Sequence, residues 1–254
     1  MRLKDIPFSD PVDHILYDDV MLAQADAGAA GECLRIWESP ALFVVLGRTG
    51  RAEQELNAAA LVRDRIPVLR RSSGGGTVLQ GPGCLNYSLV LSKQRDPALN
   101  DIRRSYDHIL KQIVTVLGPL GVRAAVRPIS DLVIEPAESK FSGNAQRRSR
   151  NFILHHGTIL YHFELERITR YLRMPSDIPE YRRGRTHADF VTNIALSPAA
   201  FRDALARHFA ARETDTRLSE SEARLLRRWR RERSPVLGAG QPAGRPGAGY
   251  CRRD

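Results

Sequence analysis

The sequence predicts an α+β fold, a β-sheet with helices on its faces. Two observations carry this. Strand-like and helix-like segments follow one another without the regular βαβ alternation of a doubly wound parallel sheet. The 254 residues, 42% of them apolar, suit one large domain with a full hydrophobic core. Ile15, Leu16, Val20 and Ala23 at helical spacing predict a first helix over Val12–Asp26. Two β-type stretches follow, Leu34–Trp37 and Ala41–Leu46, separated by a turn at Glu38-Ser39-Pro40. After the loop Gly47–Arg51, the segment Glu53–Arg63 reads as a helix and Ile66–Arg71 as a strand, which runs into the glycine-rich segment Ser72–Thr77. Leu85–Leu91 is another apolar strand. Ile102, Tyr106, Ile109, Leu110, Ile113 and Leu117 line one face of a helix over Asp101–Leu117, which Gly118-Pro119 ends. Beyond it, β-like segments are predicted around Ala124–Arg127, Asp131–Glu135, Lys140–Arg147 and Phe152–Leu160, and helices over Leu165–Leu172 and Pro198–Ala211. Ser219 and Glu222 form a capping-box pattern ahead of Leu225, Leu226 and Trp229, which announces a last helix. Residues 1–233 make up the expected domain. From Ser234 onward eight of 21 residues are Gly or Pro, so residues 234–254 are expected to be a disordered tail.

Composition narrows the function classes. The longest uninterrupted apolar run, Ala41–Leu46, is far short of a membrane span, and the N-terminal MRLKDIPFSD lacks the apolar stretch of a secretory signal. Cys33, Cys84 and Cys251 are too far apart for a disulfide framework or a zinc pattern, which suits a reducing cytoplasm. The net charge is +10, compatible with nucleic acid, an acidic protein partner or a polyanionic small molecule. Of the 39 basic side chains only four are lysines: Lys4, Lys93, Lys111 and Lys140.

Three segments can carry chemistry. In Arg70-Arg71-Ser72-Ser73-Gly74-Gly75-Gly76-Thr77, three consecutive glycines let a ligand approach the main-chain N–H groups, and the arginines offer charge to a phosphate or carboxylate. The segment is not a Walker A loop, because Gly81 is followed by Pro82 rather than Lys-Ser/Thr, and it lacks the G-x-G-x-x-G spacing. In Ser139–Gln146, Lys140 leads into small residues and could place a compact ammonium over a ligand oxyanion. In Leu154-His155-His156-Gly157-Thr158, adjacent histidines on a strand point to opposite faces, so at most one serves a given site, and no metal-ligand spacing surrounds them. Cys84, in a Pro-Gly-Cys-Leu turn entering an apolar strand, reads as a buried small hydrophobe.

Taken together and in order, these segments resemble the lipoate–protein ligase A family of the biotin/lipoate ligase and octanoyltransferase superfamily. The matching runs are RRSSGGGTV (Arg70–Val78), SDLVI (Ser130–Ile134), KFSGNAQRR (Lys140–Arg148) and LHHGTIL (Leu154–Leu160), with LRIWE (Leu34–Glu38) and VVLGR (Val44–Arg48) weaker upstream. The resemblance implies a mixed, largely antiparallel sheet flanked by helices, of the class II synthetase-like ligase type. It places Lys140 where the family's essential lysine meets the acyl carbonyl and phosphate oxygens of lipoyl-adenylate. It implies that Arg71, Ser73, Gly74, Gly75, Gly76 and Thr77 hold the adenylate, with Asp131, Ser142, Gly143, Ala145, His156 and Gly157 around the same pocket. In the activating ligases ATP and lipoate give lipoyl-AMP and pyrophosphate, with Mg²⁺ screening the phosphates. The acyl group then passes to one lysine of a lipoyl domain, typically an acidic one. No ligands for the Mg²⁺ are implied.

The departures from the pattern matter as well. The Lys-Trp-Pro-Asn-Asp run of biotin ligases is replaced by Arg127-Pro128-Ile129-Ser130-Asp131, which disfavours biotin ligation. Tyr161–Arg170 contains no cysteine, which disfavours transfer through a thioester as in the Cys–Lys octanoyltransferases. Self-activating bacterial ligases usually carry a C-terminal accessory domain, whereas 60 residues follow Ile194 here. A partner subunit, a transfer-only role and a small form that suffices alone all stay open. Ser219–Arg233, with six arginines from Arg224 on, is a docking surface or a solvated face, the latter favoured. The expected activity is ATP-dependent attachment of lipoate or a related medium-chain acyl group. The rivals are ATP-independent octanoyl or lipoyl transfer and, remotely, a non-catalytic nucleic-acid-binding or scaffold protein.

Overall fold

The computed structural model describes residues 1–128, 130–175 and 178–233, and the tail expected over 234–254 lies outside the described residues, as does Cys251. In chain order the elements are β1 (Arg2–Lys4), α1 (Pro11–Asp26), β2 (Cys33–Trp37), β3 (Phe43–Leu46), α2 (Ala52–Glu55), α3 (Ala58–Arg63), β4 (Val68–Arg70), β5 (Val78–Gln80) and β6 (Cys84–Ser92). They continue with α4 (Ile102–Leu117), β7 (Ala124–Arg127), β8 (Asp131–Ile134), β9 (Ser139–Arg148), β10 (Phe152–Leu160), α5 (Glu166–Tyr171), α6 (His187–Phe190), α7 (Pro198–His208), β11 (Glu213–Asp215) and α8 (Glu220–Glu232). The α+β expectation holds, with two sheets. An eight-stranded sheet runs β11-β1-β2-β6-β10-β9-β8-β7 and a three-stranded one runs β4-β3-β5. Among the pairings of these strands, those of β1 with β11 and β2 and that of β3 with β4 are parallel.

Leu34–Trp37 and Ala41–Leu46 are both strands, but they enter different sheets, since β2 pairs with β6 and β3 with β4 and β5. The helix expected over Glu53–Arg63 is broken at Leu56-Asn57. The Asn57 side chain accepts from the Ala60 N–H and starts a second helix, as an Asn N-cap does. Asp101 likewise caps α4 by accepting from the Arg104 N–H.

Alternation along the central strands sends side chains to two layers. On one face Leu85, Tyr87, Leu89 and Ile153 pack with Ile109, Leu110 and Ile113 of α4 and with Phe201 and Leu205 of α7. On the other, Val90 and Leu154 pack with Tyr17, Val20 and Met21 of α1 and with Leu226 of α8. The expected capping box is present, with Ser219 accepting from the Glu222 N–H and Glu222 from the Ser219 N–H. Arg230 of α8 pairs with both Asp10 and Asp13, and Arg233 with Asp19 at 2.6 Å. Arg224, Arg227, Arg228 and Arg231 stay exposed.

Glu222 also bolts α8 to the sheet. It accepts from Lys4 Nζ at 2.8 Å and Tyr17 Oη at 2.9 Å, while Lys4 reaches Asp215 at 2.9 Å. Burial pushes the Glu222 pKa up, but the bonds from Lys4, the Ser219 N–H and Tyr17 outweigh it and hold the carboxyl below its ordinary 4.5. A folded-state pKa below the unfolded one gives stability that is full above about pH 4.5 and lost as pH falls through the folded value. In a Trp37→Phe background, where Trp229 is the remaining tryptophan, fluorescence should report α8 detaching on acidification. Lys4→Met should move that transition to higher pH, and an unmoved transition would show that the cluster does not anchor α8.

Candidate active site

The glycine-rich loop between β4 and β5 is organised by a buried cation. Arg71 is 7% exposed, and its guanidinium turns back under its own loop. Nε donates to Ser73 Oγ at 3.0 Å and to the Gly74 carbonyl at 3.2 Å, and Nη2 donates to the carbonyls of Gly74 at 2.7 Å and Gly76 at 2.8 Å. Among the described residues no carboxylate lies within ion-pair distance of it. Burial lowers its pKa to about 10, so it stays charged at neutral pH. With the carbonyls drawn inward, Gly75 and Gly76 are exposed, and among the described residues no acceptor engages the N–H groups of Gly74, Gly75 or Gly76. A row of free donors above an uncompensated positive charge is a site for an anion. Arg70, its neighbour, is spent differently: Nη1 donates to the carbonyls of Gly47, Arg48 and Gly50 and ties down the preceding loop. Thr77 donates to the Glu55 carboxylate of α2.

Beneath this loop run β9 and β10. Asp131 pairs with Gly143, Gly143 with Thr158, and Ala145 with His156, so these residues share one face. A Cβ placed on Gly75 would lie 3.8 Å from the Ala145 methyl, which fixes how the loop sits over the sheet. Lys140 is three residues from Gly143, and a regular strand would send it to the opposite face. The register instead pairs Leu132 with Ser142 and Val133 with Lys140. Phe141 is thus an extra residue, buried in the α4 layer, and the bulge returns Lys140 to the Gly143 face. There Nζ meets Asp131 Oδ1 at 2.8 Å, leaving two of its three donors for other partners. A side chain at Gly143 would crowd this, since its Cβ would come 3.2 Å from Nζ. Asp131 also accepts from Tyr181 Oη.

His156 faces the loop. Its Nε2 lies 2.7 Å from Ser73 Oγ and its Nδ1 3.0 Å from Asp18 Oδ2. These are the spacings of a Ser-His-Asp triad, but Ser73 is 1% exposed and its Oγ also accepts from Arg71. The arrangement therefore holds the loop and does not present a nucleophile. His155 points the other way, as alternation requires. Its Nδ1 meets Gln146 Nε2 at 3.0 Å, and burial, with a smaller push from His156, lowers its pKa to about 3. Ser142 and Gly157 also lie on that opposite face. Ser142 Oγ accepts from Asn144, and Gly157 lies under the Tyr87–Asn144 hydrogen bond, where a Cβ would come 1.8 Å from Asn144 Oδ1. Lys140, Asp131, Gly143, Ala145, His156, Ser73 and the glycine loop thus converge, and Ser142 and Gly157 do not join them.

The residues that sequence reasoning passed over are Asp18, Asp19, Arg35 and Tyr181. The first two carried a faint signal: acidic neighbours directly between Leu16-Tyr17 and Val20-Met21-Leu22, with no polar face left to carry them, are buried with the helix and so need partners. Cys33 and Cys84 are both buried, and burial pushes both thiols up. Among the described residues no group of three or more His, Cys, Asp or Glu could hold a metal, and no helix is long and apolar enough to cross a membrane.

A family model described as the lipoyl protein ligase A/B catalytic domain matches residues 10–210. A protein of Schizosaccharomyces pombe assigned to the lipoate-protein ligase A type is 34% identical over 148 residues, covering 58% of this chain and 38% of its own length. The lipoate-protein ligase LplJ of Bacillus subtilis is 27% identical over 171 residues, covering 65% of this chain and 50% of its own. The chain therefore spans half or less of the length of these relatives. Among solved structures, a bipartite lipoate protein ligase of Thermoplasma acidophilum, studied with its E2 lipoyl domain, superposes with a TM-score of 0.73 at 25% identity, covering 89% of this chain and 90% of its own. A lipoate-protein ligase A bound with ATP superposes with a TM-score of 0.70 at 26% identity, covering 89% and 92%.

Proposed function

Because the chain belongs to the lipoyl protein ligase A/B catalytic-domain family, we propose that it attaches lipoate, or a related medium-chain acyl group, to a lysine of an acceptor lipoyl domain through an acyl-adenylate made from ATP. The observation that carries this reading is the glycine loop above buried Arg71, whose carbonyls face inward and whose N–H groups are free. That polarity suits the phosphate of an adenylate, and Lys140 adds a second positive charge from the sheet beneath.

In the first half-reaction a carboxylate oxygen of the acyl substrate attacks the α-phosphorus of ATP, and pyrophosphate leaves with the electron pair of the broken P–O bond. Arg71 and the loop donors meet charge on the phosphate, while Lys140 neutralises charge between phosphate and carboxylate. In the second half-reaction the acceptor amine attacks the acyl carbon, AMP leaves with the electron pair of the acyl C–O bond, and the amine's proton passes to solvent. Lys140, held by Asp131 through one donor, offers another to the oxyanion that forms on the acyl oxygen. Mg²⁺ would serve as a counter-ion that screens the ATP phosphates, and among the described residues no group of three or more His, Cys, Asp or Glu could hold it. The surplus of arginine, exposed on α8 and elsewhere, suits an acidic acceptor, whose approach it would steer. An accessory subunit is a further expected partner if the chain transfers acyl groups without activating them.

Pyrophosphate release tests the reading. The purified chain mixed with ATP, Mg²⁺ and lipoate should release pyrophosphate and form lipoyl-AMP. Transfer to the acceptor from a carrier-bound acyl group without ATP would instead identify a transferase. The buried state of Cys33 and Cys84 disfavours a thioester route.

A further inference from the structure

The two consecutive aspartates of α1 reach two consecutive serines at the entrance to the glycine loop, Asp19 binding Ser72 directly and Asp18 reaching Ser73 through His156. Asp18 lies over a row of residues opposite one another on three adjacent strands: Arg35 on β2, Ser88 on β6 and His156 on β10. It accepts from all three, from Arg35 Nη1 at 3.1 Å, Ser88 Oγ at 2.8 Å and His156 Nδ1 at 3.0 Å. Arg35 is fully buried between Phe8, Tyr17 and Trp37 and donates to the His14 carbonyl at 2.9 Å, so it cannot follow a moving carboxylate. Asp19 accepts directly from Ser72 Oγ and is held from the other side by Arg233 at the end of α8.

This wiring has a direction. A carboxylate only accepts, so His156 carries a proton on Nδ1, and as a neutral imidazole it then presents a bare Nε2 to Ser73. The Ser73 hydroxyl then spends its proton on Nε2 and its lone pair on Arg71 Nε, the bond that starts the wrap around the loop carbonyls. We propose that Asp18 and Asp19 are positioning residues for the glycine loop, Asp18 by fixing the tautomer of His156 so that it accepts from Ser73 and Asp19 by anchoring Ser72. For its catalytic consequences this rests on the ligase reading above; the tautomer itself does not.

The experiment is ¹⁵N-histidine NMR on the full chain, with His156 assigned by its loss in His156→Gln, alongside kinetics of acyl-adenylate formation. The wild type should show His156 protonated at Nδ1. Asp18→Asn, which offers an amide hydrogen in place of a lone pair, should move that proton to Nε2. It should also lower kcat for adenylate formation at least 30-fold, with less than a twofold change in KM for the acceptor domain. Adding Asp18→Asn to Ser73→Ala should bring no further loss, because both cut one line. Asp19→Asn and Ser72→Ala should form a second such pair. An Nε2–H tautomer in the wild type overturns the proposal, and so do additive losses for Asp18→Asn and Ser73→Ala. If Asp18→Asn does not fold, the wild-type tautomer and the Asp19/Ser72 pair decide the matter. If the wild type makes no acyl-adenylate, the functional reading falls, while the tautomer measurement still judges the wiring.

Discussion

Lys140→Ala should lower acyl transfer at least 10³-fold, about 4 kcal/mol of transition-state stabilisation, while leaving circular dichroism and the melting transition close to wild type. A single preorganised donor at an oxyanion is worth roughly 10²–10³ in rate, and Lys140 is asked to serve both half-reactions with a full charge. The fold should survive because the ammonium is partly exposed, with 30% of its side-chain surface open, and its ion pair with Asp131 is discounted accordingly. The substitution does leave Asp131 with Tyr181 as its remaining partner, and a carboxylate released inside the site could itself repel an anionic substrate. Adding Asp131→Asn to Lys140→Ala separates the two effects. If activity returns to within tenfold of wild type, the loss came from the stranded carboxylate and Lys140 is not the electrostatic catalyst. If it stays down, as expected, the positive charge itself is required. Rates from pre-formed lipoyl-AMP, measured beside rates from ATP and lipoate, show whether both halves depend on it.

Much of this site could be read along the chain, but its facing could not. The apolar spacing of Ile109, Leu110 and Ile113 and the stop at Gly118-Pro119 located α4, and the Ser219/Glu222 box located α8, because these are local patterns. The three-residue strands β1 and β11 escaped, since a short parallel edge pairing leaves no periodic signature. Alternation correctly separated His155 from His156. The same rule, applied to Lys140 and Gly143, would have put the lysine on the wrong side of the sheet. Only the extra residue at Phe141, visible in the pairing of β8 with β9, brings it back. Arg70 and Arg71 look alike in sequence as a pair of phosphate-seeking charges. In space both guanidiniums bind backbone carbonyls, one bracing the 47–50 loop and the other the glycine loop. Asp18 and Asp19 show the reverse case. Their roles depend on Arg35, Ser88, His156 and Ser72, residues 17 to 138 positions away, and no local pattern marks such partners.

Arg71→Lys should reduce adenylate formation by about 100-fold, about 2.7 kcal/mol, even though it keeps the charge. The guanidinium reaches Ser73 Oγ and the carbonyls of Gly74 and Gly76 at once because its donors are spread across a rigid plane. An ammonium is a compact point on a flexible stem and cannot span all three. A carbonyl released from Arg71 is free to turn outward, and each peptide that turns replaces an outward N–H with an outward oxygen, converting part of an anion site into one that repels anions. Arg71→Met removes the charge as well and should cost about 10³-fold. Both variants should melt within several degrees of wild type, because Gly74 is half-buried and Gly76 exposed, so water can satisfy the carbonyls that Arg71 leaves. The ordering of the three proteins is the informative result. Arg71→Lys within threefold of wild type would mean that charge alone matters and the fork geometry does not. Arg71→Lys equal to Arg71→Met would mean that the charge contributes nothing beyond holding the loop. A stepwise decline is expected, because the same guanidinium both turns the loop donors outward and places an uncompensated positive charge behind them.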